Sequence, residues 1–161
     1  DVYKRQGHTC LYESRQKILI SGDHILIDIT PNIQCWTSQG NPLKNYLTSL
    51  DKVYDLEVDL VLPGHRRLFS NHRERIEELK RHHQNRLDEI LVILKEGPKH
   101  AFDVAAEMTW DIEYKSWDQF PLQQKWFATG EAMAHLRYLE EKGLIRGRKE
   151  KEIISYALDH A

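Results

Sequence analysis

The sequence predicts an α/β unit followed by a small α+β unit, and three features of its 161 residues support this. Two short β-favouring runs, 8–13 and 17–21, are separated by three polar residues, which is a hairpin signal. A helix-periodic segment and another apolar run follow, in the strand–helix–strand order of an α/β layer. After Gly97-Pro98 the order changes to helix, helix and two strands.

The first unit is predicted to contain two helices and one further strand. Pro42 supplies a preset φ for the first turn of a helix, and apolar residues repeat at helical spacing as far as Tyr54. The run 58–62 is of strand type and stops at Pro63-Gly64-His65. A long helix is predicted from about His72 to Glu96, with a buried stripe of Ile76, Leu79, His83, Leu87, Ile90, Leu91 and Leu94.

The second unit, residues 97–161, is predicted to be winged-helix-like. A short amphipathic helix at 102–108 and a long helix at about 122–142 precede two strands, 144–148 and 153–158, that a charged turn joins. Two helices and a two-strand wing, in this order, form a winged helix. Five aromatic residues are expected to be core or domain-packing material: Trp110, Trp117, Phe120, Trp126 and Phe127.

Composition and charge indicate which classes of protein the chain can belong to. No apolar run approaches the roughly 20 residues that a membrane helix needs, and the first residues lack the apolar segment of a secretory signal, which favours a cytoplasmic location. Cys10 and Cys35 have no finger or Cys-x-x-Cys context and are expected to be reduced. Residues 1–96 hold 14 basic and 14 acidic side chains, and 97–161 hold 9 and 11. A domain that binds nucleic-acid phosphates usually has a basic excess.

Nine histidines direct attention to metal chemistry, although five of them are expected to lie mostly at the surface: His72, His82, His83, His100 and His160. Two metal-capable side chains directly follow predicted strands. Asp23 comes after 18–22 and His65 after 61–64, each with a glycine before it that lets the backbone approach closely. Either motif alone is a plain turn in about four cases of five. Together, a carboxylate and an imidazole at neighbouring strand ends predict a shared zinc-type site.

The segments around these residues resemble successive late motifs of the metallo-β-lactamase superfamily. The segments are Gly7-His8-Thr9-Cys10-Leu11-Tyr12-Glu13, the run from Ile18 to Leu26, and Leu60-Val61-Leu62-Pro63-Gly64-His65. The resemblance covers nearly the whole chain from Gly7 and implies a partial αββα sandwich over 7–96, with 1–6 interpreted as foreign sequence. The tail, 97–161, resembles the winged-helix extension of hydroxyacylglutathione-hydrolase-like and endoribonuclease-type members.

The resemblance also implies roles for individual residues. Asp23 would be the catalytic carboxylate that bridges two zinc ions, and His65 the last histidine ligand. His8 and His24 would lie beside the metal ligands or close to the substrate. His8 matches the second histidine of the family's Pro-Gly-His-Ser/Thr-Pro-Gly-His motif, and the ligand position falls on Lys4.

The family's His-x-His-x-Asp-His motif does not occur in this chain. The resemblance therefore implies a metallohydrolase of thioester, ester, lactam or phosphodiester bonds whose metal site is incomplete here. We expect the chain to be inactive alone. Whether the substrate is a small molecule or a nucleic acid stays open.

Two other classes compete with the hydrolase. A nucleic-acid-binding or regulatory winged helix would use Arg137, Arg146, Arg148, Lys149 and Lys151. Glutamates are interleaved with these residues, so a solvated charged surface is favoured by roughly four to one. An interaction fragment could instead form a homodimer through the helix 72–96, although a seam between sandwich and tail is the favoured use of that helix.

Overall fold

The computed structural model describes residues 9–37, 40–111, 116–151 and 153–159. These residues form two compact units. The first unit contains the described residues up to Pro31 together with Leu47–Arg81. The second unit contains Asn32–Tyr46 and the described residues from His82 onward.

The sheet of the first unit has three strands, β1 (Leu11–Glu13), β2 (Ile18–Gly22) and β3 (Leu60–Pro63), in that order. β1 pairs with β2 antiparallel, which confirms the predicted hairpin. β2 pairs with β3 in parallel, and the segment between them contains helix α1 (Pro42–Tyr54). Because β2 and β3 are parallel neighbours, their carboxyl ends lie at the same edge of the sheet.

The two faces of this sheet differ in exposure although both are apolar. Leu19 and Val61 are register partners on one face and are completely buried. On the other face Leu11 and Ile20 are partners with 60% and 46% of their surface exposed, and half-buried Leu62 continues the row. A solvated sheet face is usually polar, and parallel strands are usually covered on both faces. The row Leu11, Ile20 and Leu62 is called the apolar face below. Its composition is that of a sheet face that another layer covers.

Helix α2 (His72–Ile93) continues as a short 3-10 turn, Leu94–Glu96, as far as Gly97. The predicted buried stripe is confirmed except at Leu91, which is half-buried.

The expectation that His72 and His83 are surface residues is wrong, because 4% and 0% of their surfaces are exposed. His83 lies four residues after Leu79, so helical periodicity places it on the inward side. His100 is exposed as expected, His82 is half-buried, and His160 lies outside the described residues.

The second unit contains α3 (Ala101–Glu107), a 3-10 turn (Trp117–Gln119) and α4 (Leu122–Glu141). Its antiparallel sheet has the order β4 (Lys99–His100), β6 (Ile153–Leu158) and β5 (Ile145–Glu150). The predicted helices and the two-strand hairpin are confirmed, whereas β4 was not expected. A separate winged-helix domain with its boundary at residue 97 stays a prediction.

The aromatic residues of the second unit are less buried than the sequence suggests. Phe120 is buried, but 51% of Trp126 is exposed, so Trp126 is not a core residue, and a domain-packing role for it stays a prediction. Its indole stacks on that of Trp36 at a centroid distance of 4.3 Å. Gly130 makes room for this arrangement, because a β-carbon there would lie 2.5 Å from Cζ2 of Trp36.

Two further expectations concern the whole chain. Cys10 and Cys35 are both free, and their reduced state in the cell stays a prediction. Within the described ranges, no helix is long and apolar enough to cross a membrane.

Candidate metal centre

Asp23 and His65, which follow different strands in the sequence, meet at one edge of the first unit's sheet. Nε2 of His65 lies 3.3 Å from Oδ1 of Asp23. The side chains are 37% and 66% exposed for Asp23 and His65 respectively, so both reach solvent. Two ligands of one tetrahedral zinc, each at about 2.0–2.1 Å, stand about 3.3 Å apart. The spacing of this pair therefore fits a shared metal ion.

Glycine shapes this edge of the sheet in two different ways. A β-carbon on Gly64 would lie 2.6 Å from Oδ1 of Asp23, and the Gly64 N–H donates to the Gly22 carbonyl at 2.8 Å. The predicted close approach is therefore confirmed at Gly64. A β-carbon on Gly22 would meet nothing within 4 Å, but Gly22 has a φ of +52°. Glycine is suited to position 22 by its backbone conformation and not by lack of space.

The loop that carries His65 is closed by backbone hydrogen bonds. The N–H of Val61 donates to the Phe69 carbonyl at 2.7 Å, and the N–H of Phe69 donates to the Val61 carbonyl at 3.3 Å. Arg66 adopts a left-handed φ of 72°, which helps the chain reverse directly after His65. The loop therefore leaves β3 and returns to it within a few residues, which limits where His65 can be placed.

The loop that carries Asp23 is held by a serine that sequence reasoning missed. Ser21 is completely buried, and its Oγ donates to the Ile25 carbonyl at 2.8 Å. The N–H of His24 donates back to the Ser21 carbonyl at 3.0 Å. The only signal in the sequence is a small polar residue at the end of a strand, just before Gly-Asp, a place where serine commonly bonds nearby backbone.

Two arginines, also missed by sequence reasoning, fix the continuation of the Asp23 loop. Arg67 donates from Nε and Nη2 to the two carboxylate oxygens of Asp28, at 3.0 and 2.9 Å. These hydrogen bonds hold the pKa of Asp28 below its usual value. Arg75 donates to the carbonyls of Leu26 and Ile29, at 2.7 and 2.8 Å. Neither arginine belongs to a periodic pattern, so their partners cannot be read from the sequence.

The remaining predicted site residues are His24, His8 and Lys4. His24 is buried directly after Asp23 in the chain, and its place near the substrate stays a prediction. His8 and Lys4 lie outside the described residues. Across the described part of the chain, histidine, cysteine, aspartate and glutamate side chains form no group of three or more that could hold a metal ion.

Two family models match separate regions of the chain. The model of the metallo-beta-lactamase superfamily matches residues 4–65. The model described as metallo-beta-lactamase-like, C-terminal domain, matches residues 87–158. A curated relative, the beta-lactamase-like protein 2 homolog of Caenorhabditis elegans, is 33% identical over 94 residues, which are 56% of this chain and 30% of that protein.

Solved structures resemble almost the whole chain. A beta-lactamase domain protein from Burkholderia ambifaria matches with a TM-score of 0.84 and 34% identity, over 94% of this chain and 44% of that one. A metallo-beta-lactamase family protein from Thermus thermophilus matches with a TM-score of 0.77 and 34% identity, over 95% of this chain and 46% of that one. The chain thus spans less than half the length of these relatives.

Proposed function

We propose that this chain, whose membership of the metallo-β-lactamase superfamily is supported by both family models and by the relatives above, carries part of a hydrolase's metal site. The observation that carries the proposal is the 3.3 Å separation of Asp23 Oδ1 and His65 Nε2 at the carboxyl edge of parallel strands. Edges of this kind are where α/β sheets commonly bind ligands.

The donor atoms of the pair suit zinc, which we propose as the metal. A carboxylate oxygen and an imidazole nitrogen are among its usual ligands. A divalent metal bound here would lower the pKa of a water molecule and supply hydroxide near neutral pH. Asp23 contributes negative charge and a second oxygen that can orient the water, and His65 contributes a neutral donor through Nε2. Gly64 leaves the space that the carboxylate occupies.

A complete site needs more ligands than this pair, since catalytic zinc takes three protein ligands. We propose that a second layer of the αββα sandwich covers the apolar face of Leu11, Ile20 and Leu62 and supplies them. The exposure of Leu11 and Ile20, at 60% and 46%, supports this proposal, because another layer usually covers apolar residues on a sheet face. A second copy of this chain, as a homodimer, is the other candidate for that role.

The scissile bond is proposed only as a class: a thioester, ester, lactam or phosphodiester, in a small molecule or a nucleic acid. Water activated by metal can attack any of these, so the fold does not choose among them. We also propose a cytoplasmic location and the winged-helix identity of the tail. Two free thiols are in keeping with a reducing compartment.

The alternative function, nucleic-acid binding by the tail, gains no support from the geometry. Arg146 is paired with Asp159 at 2.7 Å, and Arg137 with Glu140 at 3.2 Å. Both arginines thus already form ion pairs with acidic side chains of the same unit. A regulatory nucleic-acid-binding role stays a prediction.

A chimera tests the hydrolase proposal. The matched region of the Burkholderia protein is replaced by this chain, and hydrolysis of a thioester, a lactone, a β-lactam and an activated phosphodiester is measured with zinc. We expect turnover of at least one substrate, lowered about a hundredfold or more by Asp23→Asn or His65→Gln. Asp55→Asn and His100→Gln, both at exposed positions, are the matched controls. Full activity of the Asp23→Asn chimera would contradict the proposal.

A further inference from the structure

Two histidines of the second unit form a buried pair that the metal site does not use. His83 on α2 and His135 on α4 are both completely buried. Nδ1 of His83 lies 3.1 Å from Nε2 of His135, within hydrogen-bond distance. One proton lies between these nitrogens, so the protonation of the two rings is linked.

A backbone carbonyl fixes the position of every proton in the pair. Nδ1 of His135 lies 2.8 Å from the carbonyl oxygen of Glu131, which can only accept, so this nitrogen carries a hydrogen. The neutral His135 ring then has a bare Nε2, and His83 must donate to it from Nδ1. The neutral His83 ring is left with a bare Nε2, which has no hydrogen-bond partner among the described residues.

The groups that face the pair do not favour a second proton. Tyr46 of α1 makes an edge contact with the His83 ring, and His82 of α2 makes another. Arg86 of α2 adds positive charge nearby, and the Glu131 carboxylate of α4 pairs with it at 3.2 Å. Burial, together with His135, His82 and Arg86, lowers the pKa of His83 to about 2. Burial is also the main cause that lowers the pKa of His135 to about 4.

We propose that the His83–His135 hydrogen bond is an acid-sensitive latch, which holds α2 and α4 together near neutral pH and weakens as the solution becomes acidic. A second proton on His83 would sit at Nε2 as a buried charge without an acceptor. A second proton on His135 would sit at Nε2 and point at the Nδ1–H of His83, so that two donors would face each other. Either proton is better accommodated once the helices separate and water reaches the rings.

The direction of the pH effect follows from linkage. In the closed form both rings titrate below the ordinary histidine pKa of about 6.5, so the closed form binds fewer protons than the open form. The stabilisation is complete above about pH 6.5 and is lost as the pH falls toward the closed-state values of about 4 and about 2. Between about pH 7.5 and about pH 5, each ring that titrates on opening multiplies the opening constant by about thirty.

Amide hydrogen exchange of α4 at about pH 7.5 and about pH 5, corrected for intrinsic rates, measures this opening. For the wild-type chain we expect the opening constant to rise about thirtyfold or more in acid. In the double variant His83→Asn/His135→Gln, the Asn amide can take the donor position and the Gln oxygen the acceptor position, and neither titrates. We expect a rise below about threefold for this variant.

Two single variants are the controls. Exposed His100→Gln should keep the wild-type response, as should His72→Asn, which alters a buried histidine outside the pair.

An equal acid response of wild type and double variant would overturn the proposal. A second measurement covers the case in which the double variant does not fold. Ring-proton NMR of the wild-type chain follows His83 and His135 directly, and we expect neither ring to titrate above about pH 5 in the folded protein. A midpoint near 6.5 for either ring would also overturn it.

Discussion

A β-carbon on Gly64 would lie 2.6 Å from Oδ1 of Asp23, closer than such atoms can stand. The same glycine donates its N–H to the Gly22 carbonyl at 2.8 Å. A backbone hydrogen bond thus joins the ends of β2 and β3, and a side chain at position 64 would push them apart. The meeting of Asp23 with His65 depends on this contact.

Gly64→Ala is predicted to displace the Asp23 carboxylate while leaving the fold intact. The severe contact is with Oδ1 of Asp23, which can turn away, whereas the carbonyl carbon of Gly22, at 3.2 Å, needs only a small shift. We expect zinc affinity, measured by competition with a chromophoric chelator, to fall about tenfold or more. Leu68→Ala is the control, because that side chain lies in the same loop and is 57% exposed. Equal affinities of the two variants would show that the contact is unimportant.

Arg75→Met is predicted to loosen the segment that follows Asp23. The Arg75 side chain is only 13% exposed, and its guanidinium donates to the carbonyls of Leu26 and Ile29. Losing these bonds should lower the free energy of unfolding by about 2–3 kcal/mol in urea titrations. Arg81→Met, at an exposed position of the same helix, should change it by less than about 0.5 kcal/mol. Similar losses in both variants would refute the role assigned to Arg75.

The buried ion pair of Arg86 and Glu131 gives a prediction about a double-mutant cycle. Their side chains are 12% and 9% exposed, and Arg86 also donates to the Thr109 carbonyl at 3.0 Å. Glu131→Leu alone should cost about 3–5 kcal/mol, because it leaves a buried cation without its carboxylate, and Arg86→Met alone completes the cycle. Arg86→Met combined with Glu131→Leu should recover much of that loss. Additive losses in the double variant would mean that the two charges do not stabilise each other.

Gly130→Ala is predicted to separate the stacked indoles of Trp36 and Trp126. The new β-carbon would lie 2.5 and 2.7 Å from two atoms of the Trp36 ring. We expect a changed near-ultraviolet circular dichroism signal and a stability loss of about 1–3 kcal/mol. Leu122→Ala, at a side chain that is 84% exposed, should leave both nearly unchanged. An unaltered aromatic signal in Gly130→Ala would contradict the packing described.

The sequence predicts the proximity of Asp23 and His65, because the order of the strands places both residues at one edge of the sheet. Asp23 and His65 each follow an apolar run with a glycine between, and parallel neighbours bring such positions to one edge. The partners of Arg75 and Ser21 were not predicted, because their hydrogen bonds go to backbone carbonyls of a loop. No periodic pattern encodes such contacts.

Histidine burial shows where residue type and pattern disagree. By type, His83 was expected at the surface, yet helical periodicity placed it in the buried stripe, and the pattern was right. His72, at the first position of α2, lies four residues before Ile76 and so continues the same buried stripe, which residue type alone did not suggest. Trp126, expected to be core or domain-packing material, is 51% exposed and stacks on a residue 90 positions away, so aromatic type alone did not place it in the core.

Zinc binding by this chain tests most directly whether Asp23 and His65 share a metal. Equilibrium dialysis against buffered zinc, followed by elemental analysis, would compare wild type, Asp23→Asn, His65→Gln, the double variant and His100→Gln. We predict one weakly held zinc, with an affinity about micromolar or weaker because only two protein ligands are present, for wild type and His100→Gln. Both single variants should fall to the level of the double variant. Wild-type zinc content equal to that of the double variant would contradict the shared site.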